Sequence, residues 1–262
     1  MKINKVKQAL AEGQTQLGTS FGMLRSPEVA RILAAAGFDW AFIDCEHGWF
    51  DVTTTADVCR AATDNGLAPI VRVASMEYDL VARALDGGGQ GVIFPRVESV
   101  ELLEQAVQWT KFPPLGVRGF GLMGSHTGYA KASIPEMLEH VNRETMVVLQ
   151  IETQRAVEMR DELLSVKGID AVMVGPVDLS ISLGVPGDFQ NPKMVDAMEK
   201  IRDSCVAHGI APGTQTRTLS LAKFWRERGM RFLGCSSEVG MMLEKGGEIT
   251  AALRTITTSG AA

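Results

Sequence analysis

Cysteine is scarce in this chain and never paired at close spacing. Cys45, Cys59, Cys205 and Cys235 are the only four in 262 residues. No C-x-x-C pair occurs, so a zinc framework of the usual spacing is excluded, and free thiols fit a reducing compartment. No apolar run approaches the ~20 residues of a membrane-spanning helix. The basic start, Met1-Lys2-Ile3-Asn4-Lys5-Val6-Lys7, has no apolar leader core behind it. A cytoplasmic protein with no membrane partner is therefore expected. Lysine-rich or arginine-rich stripes are missing too, and the net charge is −5, which argues against nucleic acid as a partner. A small anionic substrate stays open, because it needs only one or two local arginines. Repeats, low-complexity tracts and linkers are absent, so residues 1–262 read as a single domain.

What is present is a globular composition, 45% hydrophobic and 22% charged, arranged as short apolar runs alternating with longer amphipathic ones. Strands are predicted at 18–24, 40–44, 68–73, 91–94, 146–151, 169–174, 210–213 and 232–235. Helices are predicted at 26–36, 53–65, 77–86, 99–110, 155–164, 194–208, 220–228 and within 238–256. Ser26-Pro27 supplies an N-cap and a proline at N1, and Gly37 and Gly66 supply stops. A connection at 111–134, rich in glycine, is long enough to be functional. The tail 257–262 is small and polar and is expected to fray. Eight βα units predict a (β/α)8 barrel, and the apolar strands suit a parallel sheet covered on both faces. A doubly wound open sheet fits less well, since no G-x-G-x-x-G follows the first strand.

Four of the apolar runs end in groups that chemistry uses. They are Ile43-Asp44-Cys45-Glu46-His47, Ile70-Val71-Arg72-Val73, Leu149-Gln150-Ile151-Glu152 and Val174-Gly175-Pro176-Val177-Asp178. Parallel strands bring these ends to one face. Either Glu152 or Asp178 alone would serve equally as a helix cap or ion-pair partner. Two carboxylates on adjacent strands can share a cation, and with water completing the shell they suit Mg²⁺ or Mn²⁺. The turn at Gly175-Pro176-Val177 can offer the N–H groups of Val177 and Asp178 to a substrate carboxylate. His47 is a candidate proton acceptor, its tautomer fixed by Asp44 or Asp86. Arg72 can stabilise a developing enolate oxygen; Arg96 could do the same or form a structural ion pair. His126, in the long connection, is a candidate substrate contact. No lysine ends an interior strand, which argues against a Schiff-base route.

In this order, Asp44-x-Glu46-His47, Pro69-Ile70-Val71-Arg72, Gln150-Ile151-Glu152 and Gly175-Pro176-x-Asp178-Leu179 resemble the HpcH/HpaI family of class II pyruvate aldolases. The resemblance runs from about residue 18 to 238 and extends to Pro113-Pro114-Leu115-Gly116-Val117-Arg118-Gly119. It implies a barrel whose last helix is exchanged between subunits of a homo-oligomer, a hexamer or trimer. It implies Glu152 and Asp178 as ligands of Mg²⁺, Mn²⁺ or Co²⁺, with a pyruvate-like 2-oxo acid chelating the metal. Arg72 would steady the enolate, His47 with Asp86 would move protons, and Gln150 would lie beside the ligands. Gly48-Trp49-Phe50-Asp51 departs from the family pattern, and Trp49 and Phe50 are expected to close the mouth or meet a neighbouring subunit.

The activity expected is reversible cleavage of a 4-hydroxy-2-oxo acid to pyruvate and an aldehyde. The competing readings are decarboxylation or another C–C lysis of a dicarboxylic 2-oxo acid, and a barrel that only binds metabolites.

Overall fold

The computed structural model describes residues 1–121, 124 and 127–256. Among them eight parallel strands close a barrel in chain order. They are β1 (Gln16–Phe21), β2 (Trp40–Asp44), β3 (Ala68–Arg72), β4 (Gly91–Phe94), β5 (Met146–Ile151), β6 (Ala171–Val174), β7 (Gly213–Thr216) and β8 (Phe232–Ser237). β8 pairs back onto β1 with a register shift between Gly18 and Ser20. The helices are α1 (Lys5–Ala11), α2 (Pro27–Ala35), α3 (Val52–Asp64), α4 (Tyr78–Asp86), α5 (Val100–Trp109) and α6 (Ile134–Glu144). They continue with α7 (Gln154–Glu158), α8 (Arg160–Leu164), α9 (Pro176–Ser182), α10 (Pro192–Ala207), α11 (Leu219–Glu227) and α12 (Glu238–Arg254). This is the predicted (β/α)8 barrel.

Two apolar layers hold it. Every residue of β5 is buried, as a strand covered on both faces requires. One face of each strand joins the helices, as in Ile43, Val71, Phe94 and Leu149. The other fills the barrel, where Trp40 stacks on Phe232 with ring centroids 3.9 Å apart. Gly18 makes room for that indole, since a Cβ there would lie 2.2 Å from Trp40. Val6 and Leu10 of α1 belong to the same inner cluster, so the first helix plugs the N-terminal end, here called the floor.

Polar groups at the floor are tightly paired. Lys111 Nζ donates to the carbonyls of Asn142 and Thr145, each at 2.8 Å. Lys7 Nζ donates to the same Thr145 carbonyl at 2.9 Å and pairs with Asp170 at 3.2 Å. Asn142 accepts from the Phe112 N–H at 2.6 Å and donates to its carbonyl at 3.1 Å. Burial, then the neighbouring Lys7, pushes the Lys111 amine down to about 7.

Several boundaries differ from the prediction. The seventh strand is Gly213–Thr216 rather than 210–213. Its polar Gly-Thr-Gln-Thr run hides it, and the apolar Ile210-Ala211 before it makes only a bridge, Ala211 to Ala171. A helix not predicted, α6, follows the long connection and opens with a Ser133–Glu136 capping box. α9 starts directly at Pro176 after β6, and the fifth helix is broken at Met159 into α7 and α8. The predicted tail 257–262 lies outside the described residues.

α12 packs little of itself on its own barrel. Only Glu238 is buried along it, and Met242, Leu243, Ile249 and Leu253 are exposed. Beside its start, Leu17, Phe38, Leu219, Leu233 and Met241 line an open apolar groove of about 1040 Å³.

Candidate active site

The C-terminal ends of β2 to β5 carry a dense charge network. Asp44 and Arg72 are direct register partners across β2 and β3. Arg72 Nε donates to Asp44 Oδ1 at 3.0 Å and Nη2 to Oδ2 at 2.7 Å, a bidentate pair. Asp44 Oδ1 also accepts the N–H groups of Glu46 and His47 at 3.0 and 3.1 Å. Burial alone would raise the Asp44 carboxyl, but Arg72 and those two N–H groups outweigh it and hold it below the ordinary value.

Glu46 joins the pair to Arg96. Arg72 Nη1 stands 3.1 Å from Glu46 Oε2. That oxygen nonetheless has no hydrogen-bond partner: the Arg72 fork is aligned on Asp44, so this contact is ionic only. Arg96 Nε donates to Glu46 Oε1 at 2.9 Å, and His47 Nε2 lies 3.8 Å from the same oxygen. Arg96 has φ 53°, a left-handed conformation that costs a non-glycine residue about 1–3 kcal/mol. In that conformation its own N–H reaches Glu152 Oε1 at 2.8 Å.

Glu152 follows β5 directly, and Gln150 Nε2 donates to its Oε2 at 2.6 Å. Its carboxyl is raised above the ordinary value by burial first, then by Asp178 and Glu46, against the opposing Arg96 N–H. Asp178 sits in the first turn of α9 rather than at the end of β6. Gly175 between them leaves these side chains their place, since a Cβ there would lie 2.6 Å from Glu152 Oε2 and 2.8 Å from Gln150 Nε2 and would push them aside. Gln150 is itself buried, and its Oε1 has no partner.

These features fit a divalent cation. A buried carboxylate raised by a neighbouring carboxylate, in a cradle kept open by glycine, is stabilised when a cation enters. Among the described residues no group of three or more His, Cys, Asp and Glu side chains is arranged to hold a metal. Two carboxylates would therefore hold it, with the other positions left to water and substrate. Ser20, Gly175, Val177, Asp178, Gln215 and Ser236 line an adjoining cavity of about 440 Å³ on the other half of the mouth.

The network thus brings together Asp44, His47, Arg72, Gln150, Glu152, Gly175, Val177 and Asp178. Asp86 is not among them. It ends α4, which runs back from mouth to floor, and its carboxylate pairs with Arg118 at 2.6 Å. Among the described residues, the carboxylate within ion-pair distance of the His47 ring is that of Glu46, and Asp44 accepts the His47 backbone N–H. His126 lies outside the described residues. Phe50 turns inward and packs edge-on against Phe21 at 5.2 Å rather than closing the mouth, while Trp49 stays exposed. The sequence marks Glu46 between two candidates but not the ion pairs it makes, and the left-handed φ of Arg96 has no signature in sequence.

Known proteins share this architecture. The HpcH/HpaI aldolase/citrate lyase family profile matches residues 19–244. The 5-keto-4-deoxy-D-glucarate aldolase of Enterobacter sp. (strain 638) is 34% identical over 238 residues, 91% of this chain and 92% of that one. The crystal structure of an HpcH/HpaI aldolase from Desulfitobacterium hafniense DCB-2 superposes with a TM-score of 0.91 at 31% identity, covering 97% and 98% of the two chains. A citrate synthase, SbnG, superposes at 0.84 with 26% identity, covering 95% and 96%.

Proposed function

The chain belongs to the HpcH/HpaI aldolase/citrate lyase family, and from that premise we propose that it is a divalent-metal-dependent aldolase. It cleaves a 4-hydroxy-2-oxo acid, in the class of 2-keto-3-deoxy sugar acids, to pyruvate and an aldehyde, and catalyses the reverse. The observation that carries this reading is the pair Glu152 and Asp178, beside an arginine fixed in direction by Asp44. The relatives named for 5-keto-4-deoxy-D-glucarate support the sugar-acid class.

A Mg²⁺, Mn²⁺ or Co²⁺ ion held by Glu152 and Asp178 would supply Lewis-acid polarisation of the keto oxygen. The protein's own groups do the rest. Gln150 and the Arg96 N–H each hold one oxygen of Glu152, fixing the carboxylate plane. The N–H groups of Val177 and Asp178 take the substrate carboxylate. His47, exposed at the mouth beside Glu46, accepts the proton of the 4-hydroxyl as the C3–C4 bond breaks. The electron pair left at C3 passes into the C2–O unit, where Arg72 stabilises the developing oxyanion. A proton then returns to C3 and completes pyruvate.

The test is deuterium exchange at the pyruvate methyl group in D₂O, followed by NMR with Mg²⁺ or Mn²⁺ and then with EDTA. Metal-dependent exchange that disappears in Glu152→Ala supports the reading; no exchange with either metal removes it, and moves weight to decarboxylation or to a barrel that only binds. The exposed α12 beside an apolar groove supports exchange of the last helix between subunits of a hexamer or trimer. A monomer by light scattering would end that part of the reading.

A further inference from the structure

The cavity of about 440 Å³ on the other half of the mouth is lined by two glutamines, Gln150 and Gln215. Each keeps a buried carboxamide oxygen with no hydrogen-bond partner. Turning either amide round does not cure this. Gln150 Nε2 donates to Glu152 Oε2 at 2.6 Å, and Gln215 Nε2 donates to the Ser236 carbonyl at 2.7 Å. A flip would set oxygen against oxygen in both cases. Gln215 is held in place by β8 on two sides. Ser236, whose carbonyl it grips, has φ 60°, a left-handed conformation that a serine keeps only when its surroundings enforce it. Gly234 is its direct partner across β7 and β8, and a Cβ there would lie 1.7 Å from Gln215 Oε1. The oxygen thus occupies space that only a glycine leaves. A buried acceptor of this kind is unfavourable until a donor reaches it. A carboxylate has no proton to offer it, whereas a hydroxyl group has. Val177 and Asp178, assigned above to the 2-oxo acid and the metal, line the same cavity, so Gln215 shares the space into which the substrate extends.

We propose that Gln215 is a specificity-determining residue for the aldehyde half of the substrate. Its Oε1 accepts a hydrogen bond from a hydroxyl group carried on the aldehyde chain, so hydroxylated aldehydes are taken in preference to their deoxy counterparts. This rests on the aldolase reading. In the synthetic direction pyruvate loses a methyl proton to the base, C3 bonds to the aldehyde carbon, and the aldehyde oxygen takes up a proton. Gln215 holds a hydroxyl further along the chain and touches no reacting atom.

The experiment measures kcat/KM for condensation of pyruvate with neutral aldehydes matched in size: glycolaldehyde against propanal, and 3-hydroxypropanal against butanal. In each pair a methyl group replaces a hydroxyl, and neither member is charged. Gln215→Met, Gly234→Ala and Ser20→Ala are measured beside the wild type; Ser20 carries a hydroxyl on the same cavity. Methionine is close to glutamine in size and has no carboxamide oxygen, so the ratio in Gln215→Met reports the intrinsic reactivity of the two aldehydes. The wild-type ratio exceeds it about 10- to 100-fold in at least one pair, because the deoxy member leaves the buried oxygen unpaired. Gly234→Ala lowers the ratio too, since the new methyl group takes the place of that oxygen while Gln215 itself is unchanged, and it carries the test if Gln215→Met does not fold. Equal falls for both members of each pair would reduce Gln215 to a link between β7 and β8 and overturn the proposal. So would a ratio kept in Gln215→Met and lost in Ser20→Ala. Pyruvate methyl exchange in the wild type is followed in parallel. Exchange with an unchanged ratio sinks only the role of Gln215, whereas no exchange sinks the aldolase reading and that role with it.

Discussion

At the floor of the barrel Lys111, Lys7 and Asn142 spend their polar atoms on near neighbours. At the mouth Glu46, Gln150 and Gln215 each keep a buried oxygen with no hydrogen-bond partner. Arg118 is an exception on the floor side, where its Nε is unpaired although its Nη2 holds Asp86. Backbone strain follows this division only in part, since Arg96 and Ser236 at the mouth have positive φ but so does Tyr129 in the long connection. The floor is built to be stable and the mouth is built to bind, as the two faces of such barrels divide in general. Substitutions at the two ends should therefore fail in opposite ways.

Glu152→Gln gives the largest effect and the sharpest contrast. Activity with metal falls below detection, yet the metal-free protein unfolds at the same temperature or higher. The sign follows from linkage. Glu152 titrates above its ordinary 4.5 in the fold, so the unfolded chain loses that proton more readily and stability falls as pH rises past 4.5. Glutamine removes that penalty, and Gln150 can turn its unpartnered Oε1 to receive the new amide. Calorimetry with and without metal checks it; a strongly lowered Tm in the metal-free variant would break the comparison.

Arg72→Ala fails in both ways. The rate falls by about 2.7–4 kcal/mol of transition-state stabilisation if Arg72 acts as an oxyanion donor, seen in kcat; raised KM at constant kcat would contradict that. Stability falls too, because Asp44 is left buried without its partner. Asp44 is lowered below 3.8 in the fold. Its contribution is present above that value and is lost as pH falls through the lowered one. Acid unfolding therefore begins at higher pH in the variant.

Asn142→Ala reverses the pattern. It leaves the buried N–H of Phe112 unpaired, although the Phe112 carbonyl keeps the N–H groups of Leu115 and Gly116. The loss costs about 1–3 kcal/mol, and turnover per folded molecule is unchanged. Urea melts with active-site titration test it, and a kcat that falls with stability would show that the ends are coupled.

Lys111→Met is read in the slope of stability against pH rather than at any one pH. With the amine at about 7 in the fold against 10.5 unfolded, the unfolded chain binds more protons across that window. Wild-type stability gains an increment as pH rises from 7 to 10.5. The variant lacks it, and urea midpoints of both proteins at three pH values measure the difference.

Much of this was legible in sequence wherever burial decided the outcome. β2, β4 and β5 were read to their end residues because both faces are covered and the apolar runs are unbroken. β7 was misplaced by three positions for the converse reason: Thr214, Gln215 and Thr216 are polar, and Gln215 and Thr216 line the mouth. The strand-end rule singled out Asp44, Arg72 and Glu152. Asp86 ends no strand: it comes from the pairing with His47 that the family resemblance implies, and its helix carries it to the far end. Glu46 stands in the strand-end stretch and the family motif, but the groups it joins, Arg72 and Arg96, lie on strands remote in sequence, so its place in the network is not legible there.

The plug formed by α1, Trp40 and Phe232 makes the barrel a vessel with one opening. For an aldolase that has a kinetic consequence. On the proposed function, pyruvate seated at Gln150 and Glu152 would lie beneath the aldehyde, so it would enter first and leave last. Product inhibition should then be competitive for pyruvate against the cleaved acid and noncompetitive for the aldehyde, an order of release set by the closed floor.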